Sequence, residues 1–343
     1  MLNSRLQTEI PDLQHRQWPP VVPFSAFDEE FRLFLDSGLE GQKSFLERLR
    51  ADPVVHRATV HRMLSPVYAY LFGYPDSPAY HRRDDGLEAR LLQSKLVLEA
   101  ELLDFVMERP EIPASRSQEE LAAWLRNVTV GNAGVCHRLY DYLAEDAGRQ
   151  ALREFVYHEI VRNEVVDDEV ALLATGLQGL PKTAVAINFF DEVGRGRLRH
   201  AHTYWLRQYL SANRDWDGLR KFRARRPWFS GLSSNVFNML LTRPGMKPAA
   251  LGYFTVSESW VSPHFNKLLI GMGRVGVTKG DIYFTAHARL DPFHAEELIV
   301  AIEAQRPRLT AEEIRQIHFG AALAVACGVE TYDAMLTYLQ SIA

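Results

Sequence analysis

Toward its C-terminal end the chain reads DIYFTAHARLDPFHAEEL, which sets His287, Asp291 and His294 at i, i+4 and i+7. On an α-helix those offsets stack on one face, so two imidazoles and a carboxylate can converge on one point. Neutral imidazole with carboxylate, and no thiolate, suits iron or manganese with positions left open for O2 and a substrate. The same letters admit a plainer reading. Asp291 before Pro292 has the form of an N-cap with proline at the first helical position, which would begin a new helix.

Two further segments carry the same residue types. INFFDEVGRGRLRHAHTYWL holds Glu192, His202 ten residues later, and His200 between them. Ten residues of straight helix rise about 15 Å. Glu192 and a following histidine therefore meet one metal cluster only if the helix is bent or interrupted, which Gly194 and Gly196 permit. The alternative is a polar helix end with solvated Arg195, Arg197 and Arg199. In AALGYFTVSESWVSPHF, Glu258 lies in an apolar, aromatic run from Leu251 to Val261. A carboxylate there is costly to bury unless it is paired or bound to a cation. A surface position, or pairing with an arginine, is the alternative.

Composition narrows the field. The 343 residues, 47% hydrophobic, can bury a substantial core, and a net charge of -4 with pI near 6.3 gives no field favouring nucleic acid or an anionic membrane. The opening MLNSRLQTEIPDLQHRQWPP has no apolar signal core, and no run approaches the roughly 18 apolar residues of a membrane span. A cytoplasmic protein is expected. Cys136 and Cys327 are too few for a disulfide framework or a Cys-rich metal site. Any metal must be held by histidines and carboxylates.

Helices must position these residues. A proline-bearing arm covers the first 25 residues, and helical spacing starts at Phe27. Val54–Phe72 and Leu87–Met107 are expected as helices, with the polar stretch Glu108–Ser117 as a linker. Further helices are expected near Gln118–Val128, Val135–Leu143, Ala147–Asn163, Asp168–Thr175, Lys182–Asp191, Val236–Leu241, Ala249–Gly271, Thr278–Ala288 and Pro292–Ala304. Thr310 and Glu313 form a capping box before a helix reaching about Cys327, and Thr331–Ile342 closes the chain. No stretch alternates with period two between hairpin turns, so the fold class is all-α.

In their order and long-range gaps the segments resemble the heme-oxygenase-like diiron oxidases, a group described as iron-containing redox enzymes. That pattern is a Glu, a His ten residues on in a DE-x-G-x-G…H context, a Glu on a central helix, and His-x3-Asp-x2-His. It corresponds to Glu192, His202, Glu258, His287, Asp291 and His294. The resemblance alone prefers His202 over His200. Some relatives add a carboxylate from an earlier helix. In FVYHEIVRNEVVDDEVALL that implies Glu159, with Glu164 and Glu169 as alternatives that also suit an exposed acidic helix face. The resemblance covers about residues 150 to 340 and implies a heme-oxygenase-like helical bundle without heme at 126–343, behind an N-terminal helical extension at 1–125 that supports dimerisation in some relatives. Ferritin-like diiron bundles use paired Glu-x-x-His motifs, and this chain has no Glu-x-x-His.

The resemblance further implies two Fe(II)/Fe(III) ions, with manganese also acceptable to the ligand set, O2 as co-substrate, a small-molecule substrate and an external electron donor. N-oxygenation of an amino-acid-derived amine is the favoured reaction; oxidative decarboxylation or C–C cleavage of an amino or fatty acid is the second. Arg195, Arg274 and Arg289 are candidates to hold a substrate carboxylate. Phe189, Phe190, Tyr253, Phe254, Tyr283 and Phe284 are candidates to wall the pocket, with Phe190, Phe254 and Arg289 foremost. Three other classes compete: a metal-free, thiaminase-like enzyme using Cys327, a helical interaction protein, and a zinc hydrolase with one metal and four ligands.

Overall fold

The computed structural model describes residues 29–74, 85–107, 115 and 117–342, without the side chains of Asp85, Met107, Leu290, Asp291 and Pro292. The expected N-terminal arm and most of the expected linker lie outside the described residues. Every described regular element is helical. In chain order they are α1 (Glu29–Asp36), α2 (Gly38–Leu49), α3 (Pro53–Phe72), α4 (Asp85–Met107), α5 (Gln118–Gly131), α6 (Arg138–Glu145), α7 (Arg149–Asn163), α8 (Val166–Ala174), α9 (Gly179–Glu192), α10 (His202–Asn213), α11 (Trp216–Ala224), α12 (Leu232–Thr242), α13 (Lys247–Arg274), α14 (Ile282–Ala304) and α15 (Ala311–Ser341).

The local signals explain most boundaries. Asp52 caps α3 through its side chain, with Pro53 at the first helical position, and Gly73 closes the helix in a left-handed conformation. The Thr310–Glu313 capping box starts α15. Two expected breaks are absent. The expected helix from Thr278 starts later, at Ile282, and runs on without interruption to Ala304 as one helix, α14, so Asp291-Pro292 does not begin a new element. The last two expected helices likewise merge into α15, whose Gly328 lies within the helix where a Cβ would strike the Trp260 ring at 2.3 Å. The helices α10 and α11 have no counterpart among the expected elements. Leu125 and Arg126, the two sides of the expected domain division, both lie within α5.

At the centre α13 crosses α15 with backbones nearly touching. A Cβ on Gly252 would stand 2.0 Å from the Ile317 carbonyl oxygen, and one on Gly320 would stand 1.8 Å from that of Ala249. Only glycine fits at either place. By length and composition α15 could cross a membrane, but 56% of its apolar window is buried inside the fold. That is the state of a bundle's core helix.

Two hydrophobic clusters flank this pair. One joins α1–α5 to α12, α13, the C-terminal half of α14 and the N-terminal part of α15, through residues such as Phe31, Leu64, Leu98, Phe237 and Leu298. The other joins α6, α7, α10 and α11 to the far end of α13 and the start of α14, through Tyr140, Phe155, Tyr209, Phe265 and Phe284. The candidate ligands lie along the seam.

Candidate metal centre

The helix carrying Glu192 ends at that residue. Two short 3-10 turns follow, Gly194–Gly196 and Leu198–His200, before α10 opens with His202 as its first residue. The chain thus doubles back instead of rising along a helix. Gly194, at φ +66°, makes the reversal possible, since a Cβ there would lie 2.4 Å from the Ala201 nitrogen. The result is contact across ten residues of sequence: His202 Nδ1 lies 2.7 Å from Glu192 Oε2. His200, on the turn before, is exposed.

Glu192, His202 and His287 form a buried group whose ligand atoms lie within 4.8 Å of one another. The His202 and His287 rings approach to 4.2 Å between centroids. His287 Nδ1 donates to the Tyr283 carbonyl oxygen at 2.8 Å, which fixes the tautomer and leaves Nε2 with its lone pair. Burial lowers His202 to about 4. Burial, and then the neighbouring His202, lowers His287 to about 3. Both imidazoles are therefore neutral, the form a metal requires. Burial raises the Glu192 carboxyl above its ordinary value.

A second group lies next to the first. His294, two turns beyond His287 on α14, sits between Glu258 Oε1, 3.1 Å from its Nδ1, and Asp191 Oδ2, 3.2 Å from its Nε2. Burial alone would lower His294, but the two carboxylates reverse that and raise it to about 9. Asp191 was not among the expected residues. Its signal was the acidic pair preceding the glycine turn. Asp291, the remaining expected ligand, falls outside the described side chains.

The donor set suits iron on an observation of the structure itself. His202 Nδ1 is buried and makes no hydrogen bond even though Glu192 Oε2 is 2.7 Å away. A buried polar atom left this way is costly. A shared cation would satisfy both atoms, since two ligands of one metal at about 2.0–2.2 Å are close neighbours of each other.

Glu192, Glu258 and His287 face a cavity of about 130 Å³. Glu159 faces it too, but stands apart from the Glu192–His202–His287 group. Its alternatives are neither exposed nor free. Glu164 pairs with Arg223, and Glu169 is fully buried against Arg162, at 2.7 Å, and Asn238, at 3.0 Å. The exposed acidic face expected there does not exist, because these carboxylates turn inward to paired cations. Tyr253, Phe254 and Tyr283 line the cavity. Phe190 and Arg289 do not: Phe190 is 52% exposed, and Arg289 is also exposed. Arg195 pairs with Asp191 at the surface, and Arg274 donates to the Ala144 and Ala147 carbonyls. Neither of these has a place at the cavity wall. Cys136 is exposed, and Cys327, though buried, is absent from the lining, so no thiol faces the cavity.

A family model described as iron-containing redox enzyme matches residues 153–329, just over half of the chain. The matched segment runs from α7 into α15 and contains every residue of the two groups described above. No curated protein matches the chain.

Proposed function

From the premise that this chain belongs to the iron-containing redox enzyme family, we propose that it is an O2-dependent oxidoreductase holding a pair of iron ions. The observation that carries the reading is a pair of adjacent donor groups, Glu192 with His202 and His287, and Glu258 with His294 and Asp191, which present Glu192, His287 and Glu258 to one cavity. Asp291 completes the expected ligand set. One metal with four ligands, the zinc hydrolase pattern, leaves part of this set without a role.

When bound, iron supplies the electrons that activate O2, chemistry no side chain provides. The protein's own residues do the rest. The Tyr283 carbonyl holds the His287 ring in orientation. The aromatic side chains Tyr253, Phe254, Trp260, Phe265 and Tyr283 exclude water from part of the cavity. Glu159, Arg162, Asn163, Ser230, Ser233 and Thr331 supply polar groups to the same space. That lining favours a small polar substrate over a fatty-acyl chain. N-oxygenation of a nitrogen-bearing small molecule is the reaction we assign. Oxidative C–C cleavage of an amino acid is the second reading, favoured by the same polar walls.

The test is anaerobic titration of the metal-free protein with Fe(II), followed by rapid mixing with O2 and optical detection. Saturation at two irons per chain, with a transient visible absorption after mixing, is expected. No saturable uptake, with Glu192→Ala and His287→Ala behaving as wild type, overturns the proposal.

A further inference from the structure

Glu159 and Arg162 occupy consecutive turns of α7, and both line the cavity. Side chains three apart on a helix are neighbours, with Cβ atoms about 5–6 Å apart, yet these two do not pair with each other. Arg162 Nη1 donates to Glu169 Oε2 at 2.7 Å. Among the described residues its other nitrogens donate to no side chain or carbonyl. Glu159 Oε2 accepts from Asn163 Nδ2 at 3.1 Å. Among the described residues Glu159 has no ion-pair partner. A carboxylate oxygen and guanidinium nitrogens therefore stand side by side, uncommitted, at the wall of a closed-in space.

We propose that Glu159 and Arg162 form a clamp for the ammonium and carboxylate groups of an α-amino acid, which is the substrate class of this site. This rests on the oxidoreductase reading for what happens next, not for the binding itself. An α-amino acid carries its two charged groups on one carbon, so it needs a cation and an anion presented together and not bonded to each other. Glu159 accepts the ammonium protons, and Arg162 gives the carboxylate the donors that Glu169 leaves free. Tyr140 and Tyr332, whose rings meet edge to face at 5.3 Å, line the same cavity and close it with aromatic surface. Burial lifts the Glu159 carboxyl to about 7, outweighing the hydrogen bond from Asn163 and the nearby Arg162 charge, which both act to lower it. A bound ammonium would favour the ionised carboxylate further. Glu159 is then a substrate-holding residue and not an iron ligand.

The experiment is equilibrium dialysis of the full-length protein against each of the twenty common L-amino acids, then against the des-amino acid and the decarboxylated amine of whichever binds. Iron stoichiometry is measured in parallel. Retention of at least one amino acid is expected, with both analogues bound at least about tenfold more weakly. Glu159→Gln should weaken the amino acid by about tenfold or more, leave the des-amino acid unchanged, and keep the wild-type iron stoichiometry. The clamp is overturned if no amino acid is retained, if either analogue binds as tightly as the amino acid, or if Glu159→Gln loses iron. The two readings fail separately. Amino-acid binding without iron uptake sinks the iron reading alone, and iron uptake without amino-acid binding sinks the clamp alone.

Discussion

His202 Nδ1 and Glu192 Oε2 stand 2.7 Å apart without the geometry of a hydrogen bond. In metal-free protein this contact leaves His202 Nδ1 without a hydrogen bond, and the buried carboxyl beside it is the more expensive group to keep charged. Glu192→Ala should therefore leave the melting temperature of the metal-free protein unchanged or raise it. The same substitution should abolish most of the rise that Fe(II) confers on wild type, since a ligand stabilises only the state that binds it. Anaerobic scanning calorimetry with and without Fe(II) reads both effects. A full iron-dependent rise in the variant would remove Glu192 from the ligand set.

The imidazole of His294, raised to about 9 by Glu258 and Asp191, is protonated at neutral pH. A metal must displace that proton. Fe(II) uptake should release about one proton from this group at pH 7, and affinity should climb with pH until about 9. Calorimetric titration in buffers of different ionisation enthalpy counts the protons. The sign for stability runs the other way. A histidine raised on folding stabilises fully below its ordinary 6.5, and that contribution is lost as pH rises through about 9. Metal-free protein should thus lose stability across the interval in which metal affinity grows. A pH-independent affinity between 6 and 9 would contradict the assignment of His294, the interval being set by its shift.

The turns between Glu192 and His202 contain Arg195 in a left-handed conformation at φ 54° and four exposed side chains from Arg197 to His200. With few buried contacts of its own, this stretch should take its order from the metal at both of its ends. Limited trypsin digestion should cut at Arg195, Arg197 or Arg199 in metal-free protein and spare them with Fe(II). Equal cleavage in both states would show that the reversal holds itself together.

Glu164 separates a structural acid from a ligand. Its carboxylate pairs with Arg223, and both side chains are almost wholly buried, at 2% and 8% exposure. Breaking a buried pair from one side costs about 3–5 kcal/mol. Glu164→Gln should lower the melting temperature by several degrees while the folded protein keeps its iron stoichiometry. Loss of iron with unchanged stability would make Glu164 a ligand and not a structural acid.

The all-α class was legible because the apolar spacing holds a helical period from Phe31 to Leu339 with no competing alternation. The ligand candidates were legible because Glu192, Glu258 and His294 are residue types that seldom belong in such surroundings. The merging of α14 was not, since proline biases local geometry against helix and packing along the whole of α14 prevails. Arg162 was missed for a related reason. Helical periodicity marks where apolar side chains go, and a buried arginine is visible only once Glu169, seven residues on, is seen to fold back against it. Phe190 shows the converse: an aromatic beside a ligand in sequence points to solvent, because adjacent residues on a helix face different ways.

The seam between the two hydrophobic clusters would give the proposed metals a mechanical role. Tyr253, Phe254 and Trp260 belong to one packing unit, Tyr140, Phe265 and Tyr283 to the other, and all six wall the cavity. Each unit can loosen against its neighbour wherever only that shared cavity separates them. Ions held from α9, α10, α13 and α14 would act there as rivets between the two clusters, which otherwise share the continuous helices α13, α14 and α15. Unfolding cooperativity, and not only its midpoint, then becomes a property of the loaded site: one transition when iron is bound, two when the rivets are withdrawn.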